Sequence, residues 1–461
     1  METKQGEISV FLSLILVCIL SLFLGLLESA RVTGARLYLE MAADSSVKSV
    51  MSQYNRNLWD MYHLLFLEAE SDEAIEESFA TYLDFYLEQE NLYPMEIKDV
   101  DARKTETMTE SGGRALEKEI LSYVSYHFPE MLSGLSGIKE LLESIQEMEL
   151  TEPDWDTANE CIDAVTDPEQ EEEIEIDWEK IRLLDRLKEI FQGDLLDLIL
   201  EEDIPISQNS VRLKGIPSTE HRGEKSEKGD LAEQYMISEY CLRNFDSFLT
   251  RCERKLAPKH QALQYEQEYL LFGKESDRKN LIETVERLLA FRSALNLNYL
   301  LQTPDCRKEV DLFTMTISGG NVYIQTTMTI FVLSLWAFAE AIWDVKILMR
   351  GDAVPFFKRT DQWKLGLEEF LNFQFLDRPT GKETTGAEYQ DYLRVLFLLT
   401  KRAERNFRIM DVIQWNVQSV QEDFLVEDCI SNVDIQVAVE EQHLFLKQGN
   451  YSRTMSVSWG Y

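Results

Sequence analysis

Residues 8 to 27 carry no charge and no proline, and nearly all of them are large and apolar. At about 1.5 Å per helical residue the run reaches about 30 Å, the hydrocarbon thickness of a bilayer. A cleaved secretory signal has a basic leader, a core of roughly 7–15 apolar residues and a small-residue cleavage site. Here Lys4 is offset by Glu2 and Glu7, and the core is longer. Thr33-Gly34-Ala35 offers a cleavage sequence, but the length favours a retained anchor. Lipid attachment at Cys18 is disfavoured, because Val17 precedes it and it lies mid-span. Arg31 and Arg36 beyond the run outnumber Lys4 before it, which by the positive-inside rule draws the body to the cytoplasm. A short tail ahead of one long span instead favours export of the body. The expectation is a single-pass protein of the cell membrane with an extracytoplasmic body.

That body is acidic, with 83 Asp and Glu against 46 Lys and Arg, a net charge of −37. Such a surface repels nucleic-acid phosphates and anionic headgroups, so nucleic acid is excluded as a partner. The charge reads as a solvated, self-repelling face, and no Asp-x-Asp-x-Asp-Gly calcium loop is present. Beyond Cys18 stand Cys161, Cys241, Cys252, Cys306 and Cys429. An odd set without a Cys-x-x-Cys pair points to buried free thiols rather than to a metal site.

Helical periodicity continues past the apolar run. Val47, Val50, Tyr54, Leu58, Met61 and Leu65 recur at three- and four-residue steps, one face of a helix. The anchor helix is expected to extend outward and lay this stripe on the body, with a bend at Gly34 as the alternative. Tyr93, Met95 and Ile97 alternate with polar residues and predict a strand; after Gly112-Gly113 a helix resumes through Leu116, Ile120 and Val124. Pro153, Pro168 and Glu171-Glu172-Glu173 make residues 151–180 an acidic surface excursion. Leu281, Val285, Leu288, Leu295 and Tyr299 form a helix face ended by Pro304. Residues 328–339 are a second apolar stretch, but Glu340 and Asp344 follow closely, which suits a buried core helix rather than a span. Near the end, Val433, Ile435, Val437 and Val439 alternate, Gly449-Asn450 supplies a turn, and Met455, Val457, Trp459 and Tyr461 alternate again. That is a closing β-hairpin.

The expected fold is α+β: an N-terminal transmembrane helix continuing into a long helix, and a mostly helical body with a small antiparallel sheet closed by the C-terminal hairpin. Its parts are the tail and anchor (1–27), a helical region with one early strand and the acidic excursion (28–203), a loop or linker (204–230), a second helical region (231–430) and the hairpin (431–461).

Reactive motifs are absent. Gly273-Lys274-Glu275-Ser276 superficially matches the end of a phosphate loop, but Glu268 stands where the first glycine is required and Glu275 repels phosphate. A turn between helices is expected there. His63, His127, His221, His260 and His443 are scattered, with no H-E-x-x-H and no Cys/His cluster. No G-x-S-x-G elbow occurs, and carboxylates are too abundant for a close pair to signal glycosidase chemistry. Catalytic residues, metal ligands and cofactors are therefore not expected, and the protein reads as non-enzymatic. Glu28, at the end of the span, is the one ionisable side chain in a costly place. It snorkels to the interface or contacts a partner in a membrane assembly.

Several blocks together carry a resemblance. They are Gly6 with Ile8-Ser9-Val10-Phe11-Leu12-Ser13-Leu14, Leu27-Glu28-Ser29-Ala30-Arg31, and Gln53-Tyr54-Asn55-Arg56. Further on come Glu268-Tyr269-Leu270-Leu271-Phe272-Gly273-Lys274-Glu275-Ser276-Asp277 with Asn280-Leu281, and Trp336-Ala337-Phe338-Ala339-Glu340-Ala341 with Asp344-Val345-Lys346. Tyr389-Gln390-Asp391-Tyr392-Leu393-Arg394, Met410-Asp411-Val412-Ile413-Gln414 and Cys429 complete the series. The chain resembles an uncharacterised, mainly clostridial family of membrane-anchored proteins, the domain of unknown function numbered 5702. Its opening is similar to the pilin-like proteins of tight-adherence (Flp-type) systems, in which a glycine precedes an apolar helix cut by a prepilin peptidase. The resemblance implies processing between Gly6 and Glu7, although Phe11 stands where those proteins carry glutamate. Without that carboxylate a static anchor is favoured over a cleaved, polymerising one. The implied partners are membrane lipid around the N-terminal helix and other proteins of a cell-envelope assembly, pilus-like or secretory. A surface enzyme or ligand-binding protein on the same anchor, or a cytoplasm-facing scaffold, is the alternative.

Overall fold

The N-terminal apolar run is the first half of a single 50-residue helix, α1 (Glu2–Met51). The computed structural model describes residues 2–88, 93–127, 135–146, 157, 160–161, 178–191, 193, 195–200, 204–223, 229–318, 321–379, 381–441 and 451–461. Gly34 lies inside regular helix and not at a bend. It serves a close approach instead: a Cβ there would collide with the Tyr93 hydroxyl. The helix stops at Met51 because Asn55 starts another. The Asn55 side-chain oxygen accepts from the Leu58 N–H at 3.0 Å and caps α2 (Arg56–Tyr62). The stripe expected on one helix is therefore split: Val47 and Val50 belong to α1, Leu58 and Met61 to α2, and Tyr54 and Leu65 to the flanking connections.

Next come β1 (Leu67–Glu68), α3 (Asp72–Leu87), β2 (Met95–Thr107) and α4 (Glu110–His127), while β3 (Cys429–Glu441) and β4 (Tyr451–Gly460) arrive from the other end of the chain. β3 is central. Along one edge β2 pairs with it antiparallel, Ile97 opposite Val439 and Ala102 opposite Ile435. On the other edge β1 meets Ile430 and Cys429, and β4 continues beyond it with Val457 opposite Ile435. The alternation in β3 puts Val433, Ile435, Val437 and Val439 on one fully buried face, as a two-residue period requires. α1 and α3 cover that face with Leu39, Ala43, Val47, Ile75, Phe79 and Leu83. The early strand and the closing hairpin thus belong to one sheet, and the Gly449-Asn450 turn lies outside the described residues.

Between β2 and β3 the chain builds a helical body. Its elements are α5 (Leu135–Gln146), α6 (Trp178–Phe191), α7 (Leu195–Ile199), α8 (Pro217–Glu220), α9 (Leu231–Asn244) and α10 (Glu266–Phe272). They continue with α11 (Asp277–Gln302), α12 (Pro304–Met315), α13 (Val322–Met349), α14 (Leu367–Leu371), α15 (Tyr389–Leu399) and α16 (Arg402–Gln418). α13 contains the second apolar stretch, and 83% of its most apolar window is buried inside the protein. A helix apolar on all sides belongs in a core, and this one lies there antiparallel to α11. Gly273, at φ 64°, ends α10, and the Ser276 hydroxyl caps α11. The Asn280 side chain closes the turn by bonding both the N–H and the carbonyl of Lys274. Residues 204–223 are bonded onto this body: the Ser207 hydroxyl donates to Asp277, and the Ser218 N–H donates to Asp411 at 3.0 Å. All six cysteines are free thiols, with Cys161, Cys241 and Cys429 buried. The acidic excursion at 151–180 lies largely outside the described residues.

Candidate functional site

The first half of α1 is bare. Residues 8–27 are exposed throughout, with Phe11, Leu22 and Leu26 showing 65%, 69% and 62% of their surface. Apolar surface on that scale marks a contact with a partner or with lipid. Gly6 and Glu7 lie in the opening turns of this helix. The change from bare to packed comes at Glu28, which is only 7% exposed. It accepts from the Arg31 guanidinium at 3.1 Å, one turn further along. Arg31 also pairs at 3.1 Å with Glu441, the last residue of β3, and Glu441 lies 3.7 Å from Arg453 of β4. The carboxylate that sequence marks as costly is thus matched by Arg31 of its own helix, and the alternating charges Glu28–Arg31–Glu441–Arg453 tie the end of the apolar run to the hairpin. Past this junction Ala35, Leu39 and Ala42 pack inward, while Leu37 and Met41 stay 59% and 63% exposed on the opposite side of α1.

A second feature lies in the helical body. Glu340 and Asp344 are four residues apart on α13, on one side of the helix, and both are buried. Arg292 of α11 donates to Asp344 through Nε at 3.0 Å and Nη2 at 2.7 Å. Lys358, from the loop after α13, pairs with Asp344 at 2.6 Å and also with Glu340. Two cations and two carboxylates therefore neutralise one another out of water. Their remaining bonds hold the loop: Arg292 Nη1 donates to the carbonyls of Pro355 and Phe356, and Glu340 accepts from the N–H groups of Lys364 and Leu365. The indoles of Trp336 and Trp363 both donate to the Leu365 carbonyl. Burial alone would raise Asp344, but Arg292 and Lys358 outweigh it and hold the carboxyl below its ordinary range. For Glu340 burial prevails over the pull of Lys358, and its pKa is raised.

Above the quartet opens a cleft of about 340 Å³, with Asp344 and Lys358 in its lining. Around it stand Arg359 with Asp361, 3.7 Å apart, and Lys364 with Glu383, 2.8 Å apart. Among the described residues no group of three or more His, Cys, Asp or Glu side chains is arranged to hold a metal ion.

Residues 172–441 match the family of unknown function DUF5702. The chain belongs to that family. The matched DUF5702 region runs from ahead of α6 to the end of β3, so it contains the quartet and the cleft, whereas α1 lies outside it. Comparison with curated proteins and with solved structures returns no match.

Within the DUF5702 region the blocks noted in the sequence converge. Arg292, bound to Asp344, also donates to the Tyr392 hydroxyl at 3.3 Å, and that hydroxyl donates to the Val354 carbonyl at 3.0 Å. Glu268 accepts from the Tyr389 hydroxyl at 2.7 Å and the Phe248 N–H at 2.9 Å, and burial pushes its carboxyl up to about 7. Asp411 takes bonds from the Tyr269 hydroxyl and the Ser218 N–H, and burial raises it to about 6. Two carboxylates four apart in an apolar helix were a readable sign of a buried polar centre. Arg292, Lys358, Lys364 and Glu383 had no such sign, because they come from separate segments and only the fold brings them together.

Proposed function

We propose that this is a non-enzymatic, membrane-anchored protein that presents an extracytoplasmic body as an accessory component of a pilus-like or secretion assembly. The observation that carries the reading is α1 itself: one unbroken helix whose first half is bare and apolar and whose second half packs on the sheet. A rod of that kind fixes the body's orientation to the bilayer, because the Glu28–Arg31–Glu441 chain locks its midpoint. Leu37 and Met41 support the assembly role, since they expose apolar surface just beyond the membrane where a neighbouring protein's helix would run. The pilin-like opening at Gly6 and Glu7 supports the same setting. With Phe11 in place of a glutamate, the helix serves as a static anchor and keeps its N-terminal residues.

Sidedness is tested by adding protease to intact cells, where an extracytoplasmic body is digested and a cytoplasmic one survives. A photo-crosslinking residue placed at Leu37 or Met41 should capture another membrane protein in growing cells. Lipid adducts alone would remove the assembly reading and leave only an anchor. Mass spectrometry of the N-terminal peptide reads processing, since a peptide beginning at Glu7 sinks the static anchor.

A further inference from the structure

We propose that the cleft above the ion quartet binds a small zwitterion of the amino-acid or dipeptide class, a role independent of how the chain is anchored. Its volume, about 340 Å³, falls in the range of small-molecule sites. Its floor is built: Lys358 and Asp344 have side chains 2% and 1% exposed, and they are fixed from behind by Glu340 and Arg292. Groups held that rigidly do not reorganise when a ligand arrives.

The charge pattern selects the ligand. The lining contains three cations, Lys358, Arg359 and Lys364, and three carboxylates, Asp344, Asp361 and Glu383. In a chain with a net charge of −37, this balance is local, and it spares a ligand carboxylate the general repulsion. At the mouth the charges stand as two ion pairs, with Lys364 and Glu383 each about one-third exposed and Arg359 and Asp361 largely exposed. Exposed pairs contribute little, so exchanging their partners costs little. A ligand with both a carboxylate and an ammonium replaces the two halves of a pair at once: its carboxylate takes Lys364 and its ammonium takes Glu383. A simple anion or cation would engage one half and leave the other to solvent, so it gains one charged contact where the zwitterion gains two. Gln362 and Thr385 add neutral hydrogen-bonding groups for the ligand's middle.

The test is calorimetric titration of the full-length protein in detergent with glycine and with L-alanyl-L-alanine. Three blocked relatives of the dipeptide are run beside them: N-acetylated, C-amidated and doubly blocked. Saturable binding of at least one zwitterion is expected, with at least a tenfold loss for each blocked terminus. Lys364→Ala should weaken the zwitterion at least fivefold and abolish the penalty for amidation, and Glu383→Ala should do the same for acetylation. Both side chains lie at the mouth, so an unchanged melting temperature will show that the variants fold. The proposal is overturned if neither zwitterion binds, if the doubly blocked dipeptide binds as well as the free one, or if both variants bind like the parent.

Discussion

Glu268 is fully buried, yet both of its donors reach the same oxygen, and Oε2 has no hydrogen-bond partner. Burial raises its pKa to about 7, well above the value of about 4.3 for a free glutamate. The folded state therefore holds a proton that the unfolded state has released between those values, and the stability this confers is lost as pH rises through about 7. The loss is on the order of 3 kcal/mol. Glu268→Gln keeps the accepting oxygen and puts a neutral amide at the bare position. The variant should melt above the parent at pH 8 and close to it at pH 5, a convergence that thermal melts at the two pH values will read. Within the quartet the two carboxylates diverge: Arg292 and Lys358 hold Asp344 down, while burial raises Glu340. Lys358→Met leaves Glu340 and Asp344 buried with one cation fewer and should cost about 3–5 kcal/mol. Adding Glu340→Gln should recover part of that, since the double variant again matches Arg292 with Asp344. Two independent penalties that simply add would show that Lys358 and Glu340 are not coupled.

At the scale of elements, β3 carries the sheet. Removing residues 451–461 would strip β4 from its edge, leave the backbone of residues 432–441 unpaired on that side, and break the Tyr461 hydroxyl bond to the Met51 carbonyl. A lone strand edge is poorly stable in water. The truncated body should melt at a distinctly lower temperature by circular dichroism, and an unchanged melt would make β4 peripheral. This hairpin was legible because strict alternation has one structural meaning, and so was a strand around Met95; the fold shows that β3 pairs with it. The end of α1 was not. The apolar spacing from Val47 to Leu65 is equally good for one helix or two, and what decides is the Asn55 side chain turning back to the Leu58 N–H. The two carboxylates on α13 could be seen in advance, but their partners could not. Arg292 and Lys358 lie 52 and 14 positions from Asp344 in the chain, and periodicity carries no information about such pairings.

For the whole molecule, the question is which of its helices can cross a bilayer. Among the described residues two helices, α1 and α13, are long and apolar enough by length and composition. They differ in what surrounds them, because the apolar window of α1 is 0% buried and that of α13 is 83% buried. Moving α13 into lipid would require more than exposing its apolar side chains. Glu340 and Asp344 would have to leave Arg292 and Lys358, and the Trp336 indole would have to leave the Leu365 carbonyl. Unpaired carboxylates at membrane depth are strongly disfavoured. Deleting residues 1–27 should therefore convert the protein from the membrane fraction to the supernatant, with the sheet and helical body intact by circular dichroism. A truncated protein that pellets with membranes after a high-salt wash, yet melts cooperatively, would show that α13 contacts lipid while the quartet holds. One that pellets without a cooperative transition would only report aggregation, so both measurements belong together. The outcome expected from the burial of α13 is a monodisperse soluble body.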